Sequence, residues 1–104
     1  MSVEALKSEF VPKFLAAGEQ KFYRYLLVYA AKKMMSIEKG TYRGISPEMI
    51  LLDCYERFII LYRREGEDIY LDLARVCRKA AHKVYRLMLK KKMAERNSRF
   101  LNLV

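Results

Sequence analysis

Apolar residues recur every third or fourth position through most of this chain, which is the spacing that buries one side of an α-helix. The pattern predicts a short first helix over residues 2–10, with Ser2 as its N-cap because a serine hydroxyl accepts from a free backbone N–H. Pro12 is expected to interrupt this helix before the pattern resumes over residues 13–17. A second helix is predicted from residue 19 to about residue 35, and it is apolar on nearly all sides.

The clearest helix start in the sequence is the run Ser46-Pro47-Glu48. Ser46 suits the N-cap, Pro47 suits the first helical position, where no N–H is needed, and Glu48 faces the positive end of the helix dipole. The glycine-containing segment 38–44 before this run is predicted to be a loop. The third helix is then expected to continue to about Arg64. Its predicted buried stripe is Leu51, Cys54, Tyr55, Phe58, Leu61 and Tyr62.

The fourth helix, predicted over residues 68–93, separates apolar from charged residues more clearly than the others. Its apolar side holds Ile69, Leu73, Val76, Cys77, Ala80, Val84, Leu87 and Met88. Its charged side holds Arg75, Arg78, Lys79, His82, Lys83, Arg86 and Lys90. Residues 94–104 show no clear period, so we expect a C-terminal tail there that is frayed or docks separately.

Four large apolar residues occupy outward positions of the second and third helices, where an ordinary surface helix would carry charges. If Arg24 marks the outward side of the second helix, Val28 and Met35 share that side at spacings of four and eleven residues. Met49 and Ile60 interrupt the polar side of the third helix in the same way. Because exposed apolar surface marks sites of interaction, we predict that these four residues bind a partner.

The composition supports one folded helical domain. Of the 104 residues, 53% are hydrophobic and 32% are charged, which is too apolar for a disordered segment and too often interrupted by charge for a membrane span. We expect a single domain over residues 1–93, followed by the tail at 94–104. The predicted fold class is all-α, a compact bundle of about four main helices with a short additional N-terminal helix.

The net charge of +9 lies in the last third of the chain. Residues 1–72 hold eleven basic and eleven acidic side chains, whereas residues 73–104 hold ten basic ones and one acidic. The predicted basic surface consists of Arg75, Arg78, Lys79, Lys83, Arg86, Lys90, Lys91 and Lys92. Such a surface is typical of binding to nucleic-acid phosphate, to an acidic protein, or to an anionic membrane or calmodulin-like clamp, and also of a merely solvated face. The membrane and clamp interpretations need the apolar side of the fourth helix to be free, and we expect that side to be core.

Few residues in the sequence are suited to catalysis. No glycine-rich phosphate loop or nucleophile elbow is present. The single histidine, His82, has no second histidine or acidic cluster beside it, so no metal site is predicted. Cys54 and Cys77 lie in apolar helical patterns and are expected to be buried thiols, with a disulfide between them as the alternative. We expect neither enzymatic activity nor a cofactor.

We therefore expect a non-enzymatic protein–protein interaction module, either an adaptor or a subunit of a larger complex. Its partner is expected to be another protein or a second copy of the chain. Binding of nucleic-acid backbone through the basic side of the last helix is the alternative. The tyrosines mostly fall at helical core spacing, which favours packing over stacking on bases. Two isolated cysteines and no leader-like segment favour an intracellular setting, cytoplasmic or nuclear.

Overall fold

Four α-helices make up the fold. The computed structural model describes the backbone of residues 2–40 and 44–103, and the side chains of the same ranges except at positions 38 and 99–103. Over these residues the elements are α1 (Val3–Ala17), α2 (Glu19–Glu38), α3 (Pro47–Glu65) and α4 (Asp68–Leu103), with no strand. The predicted all-α bundle is confirmed, and the N-terminal helix is one of the four rather than an addition to them.

The core is centred on α3 and α4, which share the largest helix–helix interface, and α1 and α2 cover it. Phenylalanine rings join the layers: Phe10 and Phe14 of α1 meet Phe22 of α2 edge to face, with ring centroids 5.5 and 5.6 Å apart. Phe10 also lies 6.0 Å from Phe58 of α3. The buried residues are Leu6, Phe10, Phe22, Leu26, Ala30, Pro47, Leu51, Cys54, Phe58, Leu61, Tyr70, Leu73, Ala74, Val76, Cys77, Ala80, Ala81 and Val84.

Lys7 joins three helices at one end of the bundle. Its Nζ donates to Glu65 Oε1 at 3.0 Å and lies 5.6 Å from the centroid of the Tyr70 ring. The Tyr70 hydroxyl and then the Glu65 carboxylate stabilise the ammonium form and hold the pKa of Lys7 above its ordinary value. A second pair, Arg64 Nη2 and Glu4 Oε1 at 3.6 Å, lies at the same end. The start of α1 is therefore held against the end of α3 and the start of α4.

The start of α1 agrees with the prediction, but its interruption does not. The Ser2 hydroxyl accepts from the Ala5 N–H at 3.1 Å, as expected of an N-cap. Pro12 lies inside α1 on the exposed side, so the predicted break is wrong. Phe10 before it and Phe14 after it both pack on the core, and this packing outweighs the hydrogen bond that proline cannot make.

The start of α3 falls at the predicted residue with different chemistry. Pro47 is the first helical residue and Ser46 is extended, but the Ser46 hydroxyl donates to the Glu48 carboxylate rather than capping a backbone N–H. Gly66 ends α3 in the left-handed conformation, φ 71°, and its N–H donates to the Tyr62 carbonyl at 2.8 Å. Of the predicted loop, residue 38 belongs to α2 and residues 41–43 lie outside the described residues.

Helix α4 is longer than predicted and projects beyond the bundle. It continues to Leu103 instead of ending near residue 93, and its 36 residues measure about 54 Å at about 1.5 Å per residue. The molecule measures 58 × 24 × 23 Å, so α4 spans almost its whole length. Among its described side chains Val84 is the last buried one, and those after it are exposed except for half-buried Met88. We call residues 85–98 the projecting segment. The predicted docking role of residues 94–104 stays a prediction.

Candidate functional site

All four apolar residues predicted to bind a partner lie on the surface. Val28 and Met35 are each 53% exposed on α2, and Met49 and Ile60 are 52% and 46% exposed on α3. Successive residues are about 100° apart around a helix axis, and at this step the four positions fall on the side opposite the buried stripe of their helix. Exposure is the condition for contact with a partner, and the contact itself stays a prediction.

The structure groups these residues in pairs rather than in one patch. Val28 and Met35 lie two turns apart on one side of α2, about 10 Å along the axis. Met49 and Ile60 lie three turns apart on α3, about 16 Å along the axis. Among the principal grooves formed by the described residues, none is lined by two of these side chains. A partner that uses all four must therefore contact two helices separately.

Three of the predicted basic residues already make contacts within the bundle. Arg75 Nη1 lies 4.0 Å from the carboxylate of the aspartate three residues before it. The Arg78 guanidinium lies 5.8 Å from the centroid of the Tyr55 ring, and Lys79 Nζ lies 4.8 Å from that of Tyr23. Because exposed cation–π contacts contribute only about 0.5–1 kcal/mol each, these residues remain available to a partner at small cost.

The remaining basic residues face two directions. Lys83, Arg86 and Lys90 follow one another at spacings of three and four, and all three are exposed. Over the described part of the chain, no carboxylate pairs with any of them. Lys91 and Lys92 instead line a groove beside α2. The predicted basic surface is thus not one continuous face.

That groove, about 240 Å³ in volume, lies between the end of α2 and the projecting segment of α4. Its lining residues are Met34, Ile37, Met88, Lys91, Lys92 and Glu95. The two methionines and the isoleucine form an apolar floor, and the long charged side chains form its border. Methionine adapts its shape to what it contacts, so this floor suits an apolar side chain of another molecule.

The projecting segment carries exposed apolar residues that the sequence analysis missed. Tyr85, Leu89 and Met93 are 53%, 40% and 62% exposed. Leu87, predicted to lie on the core side, is also exposed. The spacing of four residues between Tyr85, Leu89 and Met93 is the sequence pattern that indicates them, because it places all three on a side of the helix distinct from that of Val84. The apolar side of α4 was predicted as a single stripe, and the structure shows two.

A second cavity, a cleft of about 250 Å³, lies between α1, α2 and the start of α3, and its lining residues are Glu9, Phe10, Tyr25, Tyr29, Ile45, Ile50, Leu51, Asp53 and Cys54. Both carboxylates are ion-paired, Glu9 with Lys13 at 3.6 Å and Asp53 with Arg57 at 2.7 Å. Burial raises the pKa of the Cys54 thiol to about 11, so the thiol stays protonated at neutral pH. None of these described side chains is therefore an activated nucleophile.

The other residues with catalytic or metal-binding chemistry are isolated from one another. Cys77 is fully buried, and burial raises the pKa of its thiol. Cys54 and Cys77 both lie in the described part of the chain, and both are free thiols rather than partners in a disulfide. His82 is exposed on α4 beside Tyr85 and Arg86. Within residues 2–40 and 44–103, no three His, Cys, Asp or Glu side chains come together as a metal ion would require.

Helix α4 is long, but it is not apolar along its whole length. Six of the fourteen residues in the projecting segment are charged. Over the described residues, no helix combines the length and the apolar composition that crossing a membrane requires.

Comparison of the chain with protein families, with curated proteins and with solved structures gave no match.

Proposed function

We propose that this protein is a non-enzymatic interaction module, an adaptor or a subunit of a larger complex, that binds another protein in the cytoplasm or nucleus. The observation that carries the proposal is the exposure of large apolar side chains on three helices. Val28 and Met35 of α2, Met49 and Ile60 of α3, and Met93 of α4 are all about half exposed or more. Each of them lies on an outward side of its helix, where a surface helix normally carries polar side chains.

Burial of these side chains supplies the free energy of association. Fully burying a valine, methionine or isoleucine side chain contributes about 1.5–3 kcal/mol, and a half-exposed one contributes about half of that. The exposed cations of α4 add attraction at a distance, which raises the association rate with an acidic partner. Because association itself costs at least about 4 kcal/mol, the two apolar pairs contribute only part of the free energy of a reversible complex, and other contacts of the interface must add to it.

Paired substitutions test the proposal. The protein is purified from its native cell with its co-purifying chains, and the complex is then rebuilt with Val28→Gln/Met35→Gln and with Met49→Gln/Ile60→Gln. At least one pair is expected to weaken the complex by about tenfold or more, because each position loses about 1 kcal/mol of contact. Ser8→Gln on the exposed side of α1 is the matched control. The proposal is contradicted if the isolated protein is a monomer and both paired variants still form the rebuilt complex with unchanged affinity.

The second candidate function is binding to nucleic-acid backbone. It is supported by the excess of ten basic over one acidic residue after position 72 and by the exposure of Lys83, Arg86 and Lys90 without carboxylate partners in the described chain. Phosphate contacts release counterions, so affinity falls steeply as salt rises.

A salt titration with duplex DNA and duplex RNA tests this second candidate. Lys79→Glu/Lys83→Glu is expected to weaken binding and to flatten the dependence on salt, because two phosphate contacts are removed. Lys21→Glu/Lys32→Glu, on α2, carries the same change in net charge and is the control. Equal effects of both pairs, or an affinity that does not change with salt, argue against specific phosphate contacts by α4.

A further inference from the structure

Helix α4 carries two apolar stripes on different sides. The first packs in the core and ends at Val84 and half-buried Met88. The second consists of Tyr85, Leu89 and Met93, which follow Val84 by about 100°, 140° and 180° around the helix axis. We call these three residues the distal seam. All three are exposed, and no other helix of the described chain covers them.

The spacing of the distal seam is that of helix-to-helix contact. Leu89 and Met93 are four residues apart, and in the sequence the alternating three-and-four spacing continues through Arg96 to Phe100 and Leu103. Side chains spaced in this way stay on one side of a helix and insert between those of a facing helix. The helical backbone extends to Leu103, so the segment is long enough for about two such repeats.

Basic residues border the distal seam on both sides. Arg86 and Lys90 lie along one side of it, about 60° and 100° from Leu89, and Lys92 lies along the other side, about 60° from Leu89. Arg96 lies on the line of the seam itself, one turn beyond Met93 and about 20° from Leu89 in angle. All four are exposed. The one acidic residue of the segment, Glu95, lies about 20° from Val84 and about 120° from Leu89, outside the seam and its borders. From Tyr85 to Met93 the surface is therefore apolar along its centre and positive along both edges, and Arg96 adds a positive charge at its outer end.

We propose that the distal seam binds an acidic amphipathic helix of another protein. The inference rests on the function proposed above and names the class of partner and the place where it binds. Apolar side chains of the partner pack on Tyr85, Leu89 and Met93, while its Asp and Glu residues lie opposite the basic borders. In paired helices, the charges beside an apolar seam determine which partner binds.

Charge decides against a second copy of this chain, and geometry decides against a membrane. Two distal seams in contact would place Lys90 and Lys92 against the same cations of the other copy, which is destabilising. An anionic bilayer needs a broad apolar face, whereas this seam spans only about 80° between cations. Nucleic-acid phosphate needs the cations alone and leaves the apolar residues without a role.

The test measures binding of two synthetic helices to the full-length protein by fluorescence anisotropy. Both peptides are about three heptads long with leucine in the seam positions; one carries glutamate beside the seam and the other carries lysine. The acidic peptide is expected to bind at least about tenfold more tightly, and its affinity is expected to fall as ionic strength rises.

Three double variants locate the binding site, with far-UV circular dichroism as the check that each remains folded. Leu89→Gln/Met93→Gln keeps the charge and is expected to weaken acidic-peptide binding at least about tenfold. Leu15→Gln/Ala16→Gln, at two exposed positions of α1 to which no binding role is assigned, is the matched control and is expected to leave that affinity unchanged. Lys90→Glu/Lys92→Glu is expected to shift the preference toward the basic peptide.

Several outcomes overturn the inference. One is equal binding of the two peptides; another is binding that Leu89→Gln/Met93→Gln leaves unchanged. A dimer in sedimentation that the same variant dissociates assigns the seam to a second copy instead. Tighter binding to phosphatidylserine vesicles or to duplex DNA, lost in the same variant, assigns it to those ligands.

If the acidic peptide fails while a native complex depends on Val28 and Met35, the inference falls and the proposed function stands. If native complexes tolerate every variant, both fall.

Discussion

At the scale of single residues, phenylalanine and tyrosine have different places in this protein. Phe22 and Phe58 are fully buried, whereas of the described tyrosines only Tyr70 is buried. Tyr23 and Tyr55 lie at the edge of the core, each with a cation over its ring. A phenolic hydroxyl needs a polar partner when buried, so the rim of the core is its favourable position. The described tyrosines thus pack mostly at the core margin, with Tyr70 inside the core, and the expectation that they do not stack on bases stays a prediction.

The largest effect of a single residue on stability is expected at Phe58. Phe58→Ala removes a ring from the contact between α1 and α3 and should lower the free energy of unfolding by about 3–5 kcal/mol, because the cavity cannot close. Ile60→Ala, two residues away and exposed, should change it by less than about 1 kcal/mol. Urea unfolding measures both. Similar losses at the two positions would mean that α3 is rotated relative to the bundle described here.

The two cysteines should react only when the chain unfolds. Because burial raises the pKa of Cys54 to about 11, only about one thousandth of its thiol is ionised at pH 8, and Cys77 is buried more deeply. Alkylation by iodoacetamide at pH 8, followed by mass spectrometry, should be at least about a hundredfold slower in buffer than in concentrated urea. Rapid labelling of Cys54 in buffer would show that its cleft opens.

At the scale of elements, helix boundaries were predictable where a residue has one strong local preference. Pro47 fits only the first turn of a helix, and α3 begins there. The boundary expected at Pro12 failed because tertiary packing of Phe10 and Phe14 is stronger than a local preference. The end of α4 differs from the prediction for a related reason: the described side chains after Met88 form no stripe facing the core, so the period of the core stripe gives no signal beyond that residue.

Gly66 is the turn residue whose conformation has a measurable cost. Its φ of 71° disfavours any residue with a Cβ, while no heavy atom lies within 4 Å of the place a Cβ would occupy. Gly66→Ala should therefore lower the free energy of unfolding by about 1 kcal/mol through the backbone alone. Gly66→Asn should cost less, since asparagine tolerates this conformation. Thermal unfolding compares the two, and equal losses would point to a steric rather than a conformational cause.

At the scale of the whole molecule, the all-α fold followed from periodicity, but the arrangement of surfaces did not. Val28 and Met49 were identifiable because each interrupts a polar side. Tyr85 and Leu89 were not, because a neighbouring stripe on the same helix is equally apolar. Which of two stripes a bundle buries depends on where the neighbouring helices end, and the lengths of α2 and α3 are tertiary information.

Removal of the C-terminal residues separates folding from the projecting segment. A chain that ends at Met93 keeps every buried residue among the described side chains, so its free energy of unfolding should stay within about 0.5 kcal/mol of the full-length value, while its helical signal decreases. A chain that ends at Ala81 loses buried Val84 and half-buried Met88 and should be clearly destabilised. Urea unfolding followed by circular dichroism measures both. A large loss in the chain ending at Met93 would make residues 94–104 part of the folded unit.

The projection of α4 also affects how this protein can change over time. Most described side chains beyond Val84 make few contacts with the bundle, so substitutions there alter the surface with little effect on folding. Mutations there that change which ligand is bound are therefore not eliminated by selection against misfolding. The bundle can stay constant while its outer end diversifies, and related chains should vary most in sequence along that end.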